Sequence, residues 1–445
     1  MKLQYVANAC FLITLASGRR ILTDPWYRGP CQQTWWNFPP VHERLAGEID
    51  RCQPDFLYIS HLHHDHLHPE TLAPFDRATP VIVGAMNTPN LKNALAALGF
   101  RTLIETPFET RTALAGAGAD IVLFKDFHGD TLGDDTQVVY DLDTSLYLYD
   151  GDGTRLFLAV DNTILPPDAA RIAAEYGAPD LAQLPYVSAS LYPMAMADYD
   201  DAQKAAATRA LRRRTAANFR DLTRALGPRR AIPAGGEYVL GGPAAAQSRF
   251  LPQPLAADLA AELASAGLAD TLAKLYPGDA LDSTTLAVLL DPDADFRNFT
   301  DADRAAYALG LADRDPSHAE LALPHDLAFD WPRALKRCAA NYAARREAMG
   351  LALPMDVFLD VAGEAGERKL LFRYALDSAD CGPCEAESPR ARLTYHLDER
   401  LLFCLIAGLV SWNAMEASTL IGVSRQPDVY QHDLHRSMVH FTLLS

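Results

Sequence analysis

The chain of 445 residues exceeds the size at which a single hydrophobic core stops growing, so we expect two domains. Hydrophobic residues make up 49% and charged residues 22%, the composition of an ordinary globular protein. The formal net charge of −17 repels phosphate backbones and excludes a protein whose main task is to bind nucleic acid. This net charge does not exclude a local basic pocket that binds one anionic small molecule.

Cysteine usage and hydropathy indicate the cytoplasm. The seven cysteines are odd in number and widely spaced, unlike a secreted disulfide framework. The N-terminus alternates like strands and lacks the uninterrupted apolar run of a signal peptide. The most apolar C-terminal run, residues 401–412, is too short to span a bilayer. We therefore expect a cytoplasmic protein with no membrane partner.

The first 165 residues have the pattern of strands separated by short helices. Residues 2–15 and 18–26 predict a β-hairpin. Apolar runs at 55–60 and 80–85 predict buried strands. A segment with helical spacing follows the second of these runs, and four more strand patterns complete the region. Strands that alternate with short helices predict an α/β protein with packed sheets.

The second half of the chain contains longer blocks of helix and strand. Residues 200–227 predict a long helix with Gly227 as its stop. A strand and a glycine-rich loop follow. Residues 254–350 are rich in Ala, Leu and charged residues, which predicts mostly helix. Residues 353–375 return to strand patterns, and the tail from 391 to 445 predicts strand, helix, loop and strand.

The stretch "YISHLHHDHLHPETL" concentrates five of the thirteen histidines in eight positions, residues 61–68. It follows a predicted strand, which delivers the loop to the rim of a sheet. Imidazole and carboxylate side chains together bind zinc, iron or manganese. Because alternate residues of an extended loop point the same way, we expect His61 and His63 to bind one metal. Asp65 and His66, where the loop turns toward a helix, can face a second.

Two simpler interpretations compete with a metal site, a solvated polar loop and an expression tag. A tag is disfavoured because the cluster is internal, is interrupted by Leu62 and Asp65, and follows a strand. His64 and His68 exceed the number of ligands that the site needs. We expect them to support ligands, to face the substrate or to lie exposed.

A metal site needs further ligands from other parts of the chain. His128 follows an apolar run in "DFHGDT", and Asp161 follows another in "LFLAVDNT". Each alone would more often be a loop residue or a cap. With the histidine cluster they complete a set of three imidazoles on one metal, Asp161 between the metals, and Asp65 with His66 on the second.

The order of these residues resembles the metallo-β-lactamase superfamily, in which an H-x-H-x-D-H loop precedes a His and an Asp at later strand ends. Other segments resemble the catalytic domain of CMP-N-acetylneuraminate hydroxylases and their bacterial relatives: "NACFLI", "ILTDPWYRGPCQQTWWNFPP", "LYISHLHHDHLHPETL", "VDNTILP", "IPAGGEYVLGG" and "WNAMEASTLIGVSRQPDVYQHDLHRSMVHFTL". They extend from residue 4 to residue 443, with residues 255–390 weakly marked. The resemblance implies an αβ/βα sandwich that holds one or two metal ions, with iron, zinc and manganese as candidates.

Two departures from these families concern the metal content and the electron supply. Many superfamily members complete the second metal with a final histidine, but "AIPAGGEYVLGG" contains none. The second metal is therefore weakly held, absent, or completed by Glu237 or water. The hydroxylases also carry an N-terminal Rieske domain, which needs Cys and His pairs, and the only Cys-x-x-Cys here joins Cys381 to Cys384. Electrons for an oxygenase would then come from a separate ferredoxin or reductase.

Three functions stay open, and the resemblance favours the first. A non-haem iron oxygenase would hold iron on three histidines and an aspartate, and would hydroxylate a small polar substrate such as a sugar or nucleotide-activated compound. A zinc hydrolase would lower the pKa of a bound water and attack an ester, amide or lactone, with Asp65 or Asp161 orienting the hydroxide. The third is a metal-stabilised binding protein without catalysis.

Other residues give weaker signals. Asp24, after a strand, predicts either a hydrogen bond to a ligand histidine or a simple Asp-Pro turn. Trp35 and the neighbouring tryptophans fit a substrate mouth and core packing equally well. Arg425 either reaches the pocket or lies on a solvated surface. Cys381 and Cys384 have the spacing of a redox pair, but their acidic, proline-containing surroundings disfavour that role.

We therefore predict an α/β protein of two parts. Residues 1–250 form a metallo-β-lactamase-like αβ/βα sandwich that holds the metals. Residues 251–445 form a mixed α/β domain that builds one side of the substrate pocket or the interface of a homodimer. The predicted metal ligands are His61, His63, Asp65, His66, His128 and Asp161.

Overall fold

The computed structural model describes residues 1–86, 88–127, 143–187, 190–316, 323, 329–351, 353–363 and 366–444. The predicted ligand His128 lies outside these residues, as does most of the strand pattern at 137–143. Among the helices in the described ranges, none is long and apolar enough to cross a membrane.

The first sheet contains the predicted hairpin turn at Ser17 and Gly18, but a turn at Asn8 and Ala9 divides the expected strand 2–15 into two antiparallel strands. Its strands within the described residues are β1 (Lys2–Ala7), β2 (Cys10–Thr14), β3 (Arg20–Thr23), β5 (Phe56–Tyr58), β6 (Val81–Gly84), β7 (Leu103–Thr106), β15 (Ala280–Asp282) and β16 (Val288–Leu289). They lie in the order β16-β15-β1-β2-β3-β5-β6-β7. The hairpin strands are antiparallel, whereas β3, β5, β6 and β7 run parallel.

The second sheet faces the first. Its strands within the described residues are β8 (Thr112–Leu114), β9 (Ala119–Lys125), β10 (Thr144–Asp150), β11 (Arg155–Leu158), β12 (Leu181–Leu184) and β13 (Arg230–Pro233). They lie in the order β13-β12-β11-β10-β9-β8. Parallel pairing of β11, β12 and β13 brings the C-terminal ends of these three strands to one edge.

Helices cover the outer faces of both sheets. Apolar side chains from the inner faces, such as Tyr58 and Ile82 opposite Leu146 and Leu158, form one buried cluster. The first sheet is covered by α1 (Glu43–Cys52), α2 (Pro69–Leu72) and α3 (Asn90–Ala97), and the second by α4 (Pro166–Tyr176), α5 (Asp201–Leu226) and α6 (Ala256–Ser265). This helix–sheet–sheet–helix order confirms the predicted αβ/βα sandwich.

Helix α5 has the limits that its sequence predicts. Asp200 caps its first turn, because its side chain accepts a hydrogen bond from the Gln203 backbone N–H at 2.8 Å while the Gln203 side chain accepts from the Asp200 N–H at 2.9 Å. The helix ends at Gly227, which has a φ of +69°. Glycine adopts this left-handed conformation without a steric penalty.

The division expected at residue 250 does not coincide with a division of the sheets. Strand β15 pairs with β1, so residues 280–289 complete the first sheet although we expected mostly helix across 254–350. The open edge of β1 supplies hydrogen-bond partners that the local sequence cannot reveal. Where the two parts separate stays a prediction.

Smaller elements connect the sandwich to the remainder. Strands β4 (Trp35–Asn37) and β14 (Tyr238–Leu240) pair with each other. A 3-10 helix (Gly242–Phe250) and helix α7 (Asp301–Leu309) contribute to one cluster of buried residues around Phe38.

A third sheet dominates the C-terminal part. Its strands within the described residues are β17 (Asp356–Ala362), β18 (Arg368–Ala375), β19 (Cys381–Pro383), β20 (Arg392–Asp398) and β21 (Gly422–Gln426), in the order β19-β18-β17-β20-β21. Its helices there are α8 (Trp331–Ala348), α9 (Glu399–Ile406), α10 (Trp412–Ala417) and α11 (His432–Ser437). They share one apolar cluster with the sheet, as expected for a mixed α/β unit.

The Cys381 and Cys384 pair lies at the edge of this third sheet. Both thiols are free, and burial raises the pKa of each above its ordinary value. A reactive thiol pair needs a lowered pKa. The redox role therefore gains no support from its surroundings.

Candidate metal centre

The candidate ligands lie where loops from both sheets meet. Ser60 and the histidine loop follow β5, Asp24 follows β3, and Asp161 follows β11. The Tyr58 hydroxyl donates to the Thr144 carbonyl at 3.1 Å, and Thr144 Oγ1 donates to the Ser60 carbonyl at 2.9 Å. These bonds tie β5 of the first sheet to β10 of the second.

Two overlapping groups of described side chains can each hold a metal ion. One consists of His61, His66 and Asp161, and the other of His61, His63 and Asp143, with ligand atoms within 4.8 Å of one another in each. His66 Nε2 lies 3.2 Å from Asp161 Oδ2, and His61 Nε2 lies 3.4 Å from Asp143 Oδ1. Each group offers two imidazoles and one carboxylate, a donor set that fits a transition metal.

The structure groups the loop residues differently from the predicted pairs. His61 and His63 lie together as expected, with 2.7 Å between Nε2 and Nδ1. His66, however, joins His61 and Asp161, while Asp65 Oδ2 lies 3.4 Å from His66 Nε2 but outside both groups. The loop is not extended: the His66 N–H donates to the His63 carbonyl at 3.0 Å, which folds it back on itself.

Asp143 is a candidate ligand that the sequence reasoning missed. It stands directly before β10, at the end of the predicted strand pattern 137–143. The sequence feature that could have identified Asp143 is a carboxylate between two apolar stretches. Burial raises the pKa of Asp143 to about 7, so a nearby cation would favour its ionised form.

The electrostatics of the cluster bring opposite charges together. Burial and the neighbouring His66 and His63 lower the pKa of His61 well below its ordinary value. Burial opposes protonation of His66, but Asp161 and Asp65 outweigh it and hold its pKa well above the usual range. Carboxylates and imidazoles this close together compete for the same protons. A bound metal ion would take the place of those protons.

Asp24 and Ser60 orient the imidazoles. The Asp24 carboxylate accepts from the Ser60 N–H at 2.8 Å and from Ser60 Oγ at 2.7 Å, and its Oδ2 lies 3.1 Å from His66 Nδ1. Because the Ser60 hydroxyl donates its one proton to Asp24, it accepts from His61 Nδ1 at 2.9 Å. The lone pair of His61 Nε2 is then directed toward the other candidate ligands. Asp24 thus orients His61 through Ser60 and contacts His66 directly, which is the kind of hydrogen bond predicted for it.

Gln183 fixes the turn that presents Asp161. The preceding residue, Val160, has a φ of +57°, which is strained for a β-branched residue. The buried Gln183 side chain accepts from the Val160 N–H at 2.7 Å and donates to the Ala234 carbonyl at 2.7 Å. One amide therefore joins the ends of two strands beside the centre.

The loop "PAGG" explains the missing final histidine. A side chain at Gly235 would begin 3.7 Å from Asp161 Oδ1, but the φ of +99° at this position favours glycine. Glu237, an expected substitute, instead accepts hydrogen bonds from Tyr5 and Tyr186 and pairs with Lys274. Its carboxylate belongs to neither candidate group among the described residues.

The two surplus histidines differ in their surroundings. His64 lines the cavity beside the candidate ligands, and burial lowers its pKa. His68 caps helix α2: its Nδ1 accepts from the Thr71 N–H at 3.4 Å, and its Nε2 lies 3.3 Å from the Pro30 carbonyl. His68 therefore has a structural role.

A cavity of about 1280 Å³ lies against the candidate ligands. One wall comes from the sandwich and includes His63, Asp143 and Asp161. The other comes from the C-terminal part and includes Trp412 and Glu416. Residues of the C-terminal part thus line the cavity, and the two roles expected for this part, one side of the substrate pocket or a homodimer interface, stay predictions.

The tryptophans and Arg425 occupy different environments. Trp26 is fully buried in the core, whereas Trp35 is buried but also contributes to the cavity wall. The ring of Trp35 stacks on Tyr238 with centroids 3.7 Å apart. Arg425 pairs with Asp428 at 2.6 Å and lines a separate, smaller cavity rather than the large one.

Comparisons with known proteins find similarity over parts of this chain. The family model "Beta-lactamase superfamily domain" matches residues 2–140. A protein described as a Rieske 2Fe-2S iron–sulfur protein, from Mycobacterium tuberculosis (strain CDC 1551 / Oshkosh), is 31% identical over 199 residues, 44% of this chain and 36% of that protein. The cytidine monophosphate-N-acetylneuraminic acid hydroxylase of Pongo pygmaeus is 39% identical over 74 residues, 16% of this chain and 12% of that enzyme.

The matched segments thus cover well under half the length of these relatives. A solved structure, that of a possible metal-dependent hydrolase from Veillonella parvula, is similar with a TM-score of 0.44 and 14% identity, over 63% of this chain and 98% of that one. The family match contains the hairpin, β5 and the histidine loop. Residues 2–140 of this chain are therefore similar to the β-lactamase superfamily domain.

Proposed function

We propose that this chain is a non-haem iron oxygenase that hydroxylates a small polar substrate. The observation that carries the proposal is the composition of the two ligand groups. Each contains two imidazoles and one carboxylate, the set that non-haem iron oxygenases use to hold Fe(II) with open positions. Both groups include His61, whose Nε2 offers one lone pair and would therefore bind one ion at a time, and His128 stays a predicted additional ligand.

The relatives support an oxidative reaction. One is named as a Rieske iron–sulfur protein and another as a hydroxylase, and both match only part of their own length. An oxygenase needs electrons, so we propose a separate ferredoxin or reductase as the donor. The substrate class and the donor are proposals for this chain.

The chain's own residues have defined tasks in this proposal. His61, His63 and His66 with Asp143 and Asp161 would hold the metal, and bound iron would supply dioxygen activation. Asp24 and Ser60 hold the imidazole protons away from the ligand atoms. The cavity admits the substrate next to Asp161, and its C-terminal wall limits access of water.

A zinc hydrolase is the second candidate, and one observation favours it. Asp65 lies beside His66 yet outside both ligand groups, so its carboxylate would orient a metal-bound hydroxide without being a ligand. The substrate would then be an ester, amide or lactone. Zinc binds the same imidazole and carboxylate donors.

Metal analysis and oxygen dependence separate the two candidates. The full-length protein is purified without added metal, and iron, zinc and manganese are measured by mass spectrometry. We expect iron in stoichiometric amount, and oxygen uptake that requires a reductant. Stoichiometric zinc, with ester or lactone hydrolysis that continues under anaerobic conditions, would overturn the oxygenase. A chain without either activity would be a binding protein.

A further inference from the structure

The two walls of the large cavity carry side chains of opposite charge. The sandwich wall is acidic, and the C-terminal wall carries a guanidinium and three imidazoles. The acidic side chains of the first wall are Asp65, Asp126, Asp143 and Asp161, and the basic side chains of the second are Arg345, His432, His435 and His440. Glu416 also lies on the second wall, but it pairs with His435 at 3.0 Å. A ligand in this cavity therefore meets an electrostatic gradient.

Arg345 differs from most other arginines of the C-terminal part. It lies in the last turn of α8, is exposed, and has no ion pair within the described residues. By contrast, six arginines in this part pair with carboxylates: Arg368, Arg373, Arg390, Arg392, Arg400 and Arg425. An unpaired guanidinium on a cavity wall leaves its full set of donors for a ligand.

His440 and Asn341 flank this guanidinium. Asn341 stands one helical turn before Arg345, and its Nδ2 donates to the Thr442 carbonyl at 2.9 Å. His440 Nε2 is buried without a hydrogen-bond partner in the part of the chain that the structure describes. Helix α8, which carries Arg345, contacts the 3-10 helix Met438–His440, and burial and the Arg345 charge lower the pKa of His440. Ala344 adds little bulk to this part of the wall.

We propose that Arg345, with His440 beside it, forms a subsite for an oxyanion of the ligand, a carboxylate or a phosphate group. The planar fork of Arg binds two oxygens of such a group at once. A small rearrangement that brings the oxyanion to His440 Nε2 would give this nitrogen a partner. The opposite wall carries the candidate metal ligands, so an oxyanion held at Arg345 would leave the rest of the ligand directed toward Asp161.

The ligand's identity as substrate rests on the proposed function, whereas the subsite itself does not. If the chain is an oxygenase, its substrate is an anionic small molecule whose oxyanion lies at Arg345 and whose reacting end faces Asp161. If the oxygenase proposal fails, oxyanion binding at Arg345 can still be measured. Two separate readouts therefore test the two proposals.

Titration calorimetry with inorganic phosphate and with malonate tests the subsite on the full chain as purified. We compare the wild type with Arg345→Gln, Arg345→Lys and Arg337→Gln. Arg337 is an exposed arginine of the same helix that does not line the cavity, so it controls for the lost charge. We expect Arg345→Gln to weaken binding at least tenfold, Arg345→Lys to weaken it less, and Arg337→Gln to leave it unchanged.

A metal-ligand variant identifies the competing site. Phosphate can also bind a metal ion, so His61→Ala is titrated in parallel and the metal content of every variant is measured. The proposal is overturned if Arg345→Gln binds both anions as the wild type does, or if binding disappears with His61→Ala but not with Arg345→Gln. The ratio of the phosphate and malonate dissociation constants decides between phosphate and carboxylate.

Discussion

At the scale of single residues, His61 is the most consequential side chain of the candidate centre. It belongs to both ligand groups, is almost fully buried, and is oriented by Ser60 through Nδ1. His63 and His66 each belong to one group. The loss of His61 therefore removes a ligand from both groups, whereas the loss of either neighbour removes one from a single group.

Alanine substitutions in the loop should lower the metal content in this graded way. We expect His61→Ala to lose most of the bound metal and His63→Ala to lose about half if two ions are bound, because a lost ligand costs far more than a lost hydrogen bond. The measurement is metal per chain by mass spectrometry after dialysis. His64→Ala, a histidine of the same loop outside both groups, is the control and should retain its metal. Equal losses in all three variants would contradict the assignment.

At the scale of elements, buried polar side chains hold the strand ends that carry the ligands. Gln183 joins the end of β11 to the end of β13 across the strained Val160. Asn162 accepts from the Phe127 N–H at 3.1 Å and donates to the Lys125 carbonyl at 3.2 Å. These hydrogen bonds fix the strand ends and therefore the positions of the ligand side chains that follow them.

Gln183→Ala should release the Val160 turn and displace Asp161. We expect metal affinity to fall about 10-fold or more, as for partners that orient ligands, and the free energy of unfolding to fall by about 1–3 kcal/mol. Metal affinity is measured by competition with a chelator. Gln4→Ala is the control, because Gln4 donates to the Gly278 carbonyl at 3.3 Å without contacting a candidate ligand. An equal loss of metal affinity in both variants would mean that Gln183 acts only through stability.

A cross-strand ion pair should make the third sheet sensitive to acid. Arg368 on β18 donates to Asp360 on β17 at 2.5 Å and holds the pKa of Asp360 below its ordinary value. A lowered pKa stabilises the fold above the unfolded value of about 4, and this contribution is lost as the pH falls through the folded value.

Arg368→Gln should therefore lower the free energy of unfolding at pH 7 by about 0.5 kcal/mol, because the pair is partly exposed. The difference from wild type should shrink as the pH falls below about 4. Urea denaturation from pH 7 toward pH 3 measures it. The control is Arg337→Gln, which removes an arginine without a carboxylate partner in the described residues. A difference that is constant with pH would refute the pair's contribution.

At the scale of the whole molecule, the pocket exists because the C-terminal part packs against the sandwich. Trp35 Nε1 donates to the Ala417 carbonyl at 2.9 Å, and Thr34 Oγ1 donates to the Ser418 carbonyl at 2.7 Å. The Ala197 N–H donates to the Val423 carbonyl at 2.9 Å. These contacts join the two cavity walls.

Trp35→Ala should loosen this junction and leave the metal ligands in place. Removing a buried tryptophan costs about 3–5 kcal/mol of unfolding free energy. We expect that loss in chemical denaturation, with metal per chain unchanged and phosphate binding weakened because the far wall is displaced. Trp35→Phe keeps an aromatic ring against Tyr238 and should recover most of the stability. Loss of metal in Trp35→Ala would show that the junction also supports the centre.

The sequence patterns predicted packed α/β layers and most of the candidate ligands, whereas the αβ/βα sandwich followed from the family resemblance. Strand patterns with short helices between them specify layers, because each apolar face must be buried by another. The H-x-H-x-D-H loop after β5 and Asp161 after β11 were visible because polar residues at the ends of apolar runs are conspicuous. Asp143 also ends a predicted strand pattern, but the next strand pattern begins directly after it, so no loop set it apart.

Only the tertiary structure decided how these residues combine. It grouped His66 with His61 and Asp161 because a backbone turn folds the loop back, and it paired Glu237 with Lys274, which is 37 positions away in the chain. It also placed β15 beside β1 and Arg345 across the cavity from Asp161. Sequence patterns specify which faces are buried, whereas contacts between residues hundreds of positions apart depend on how the completed layers pack.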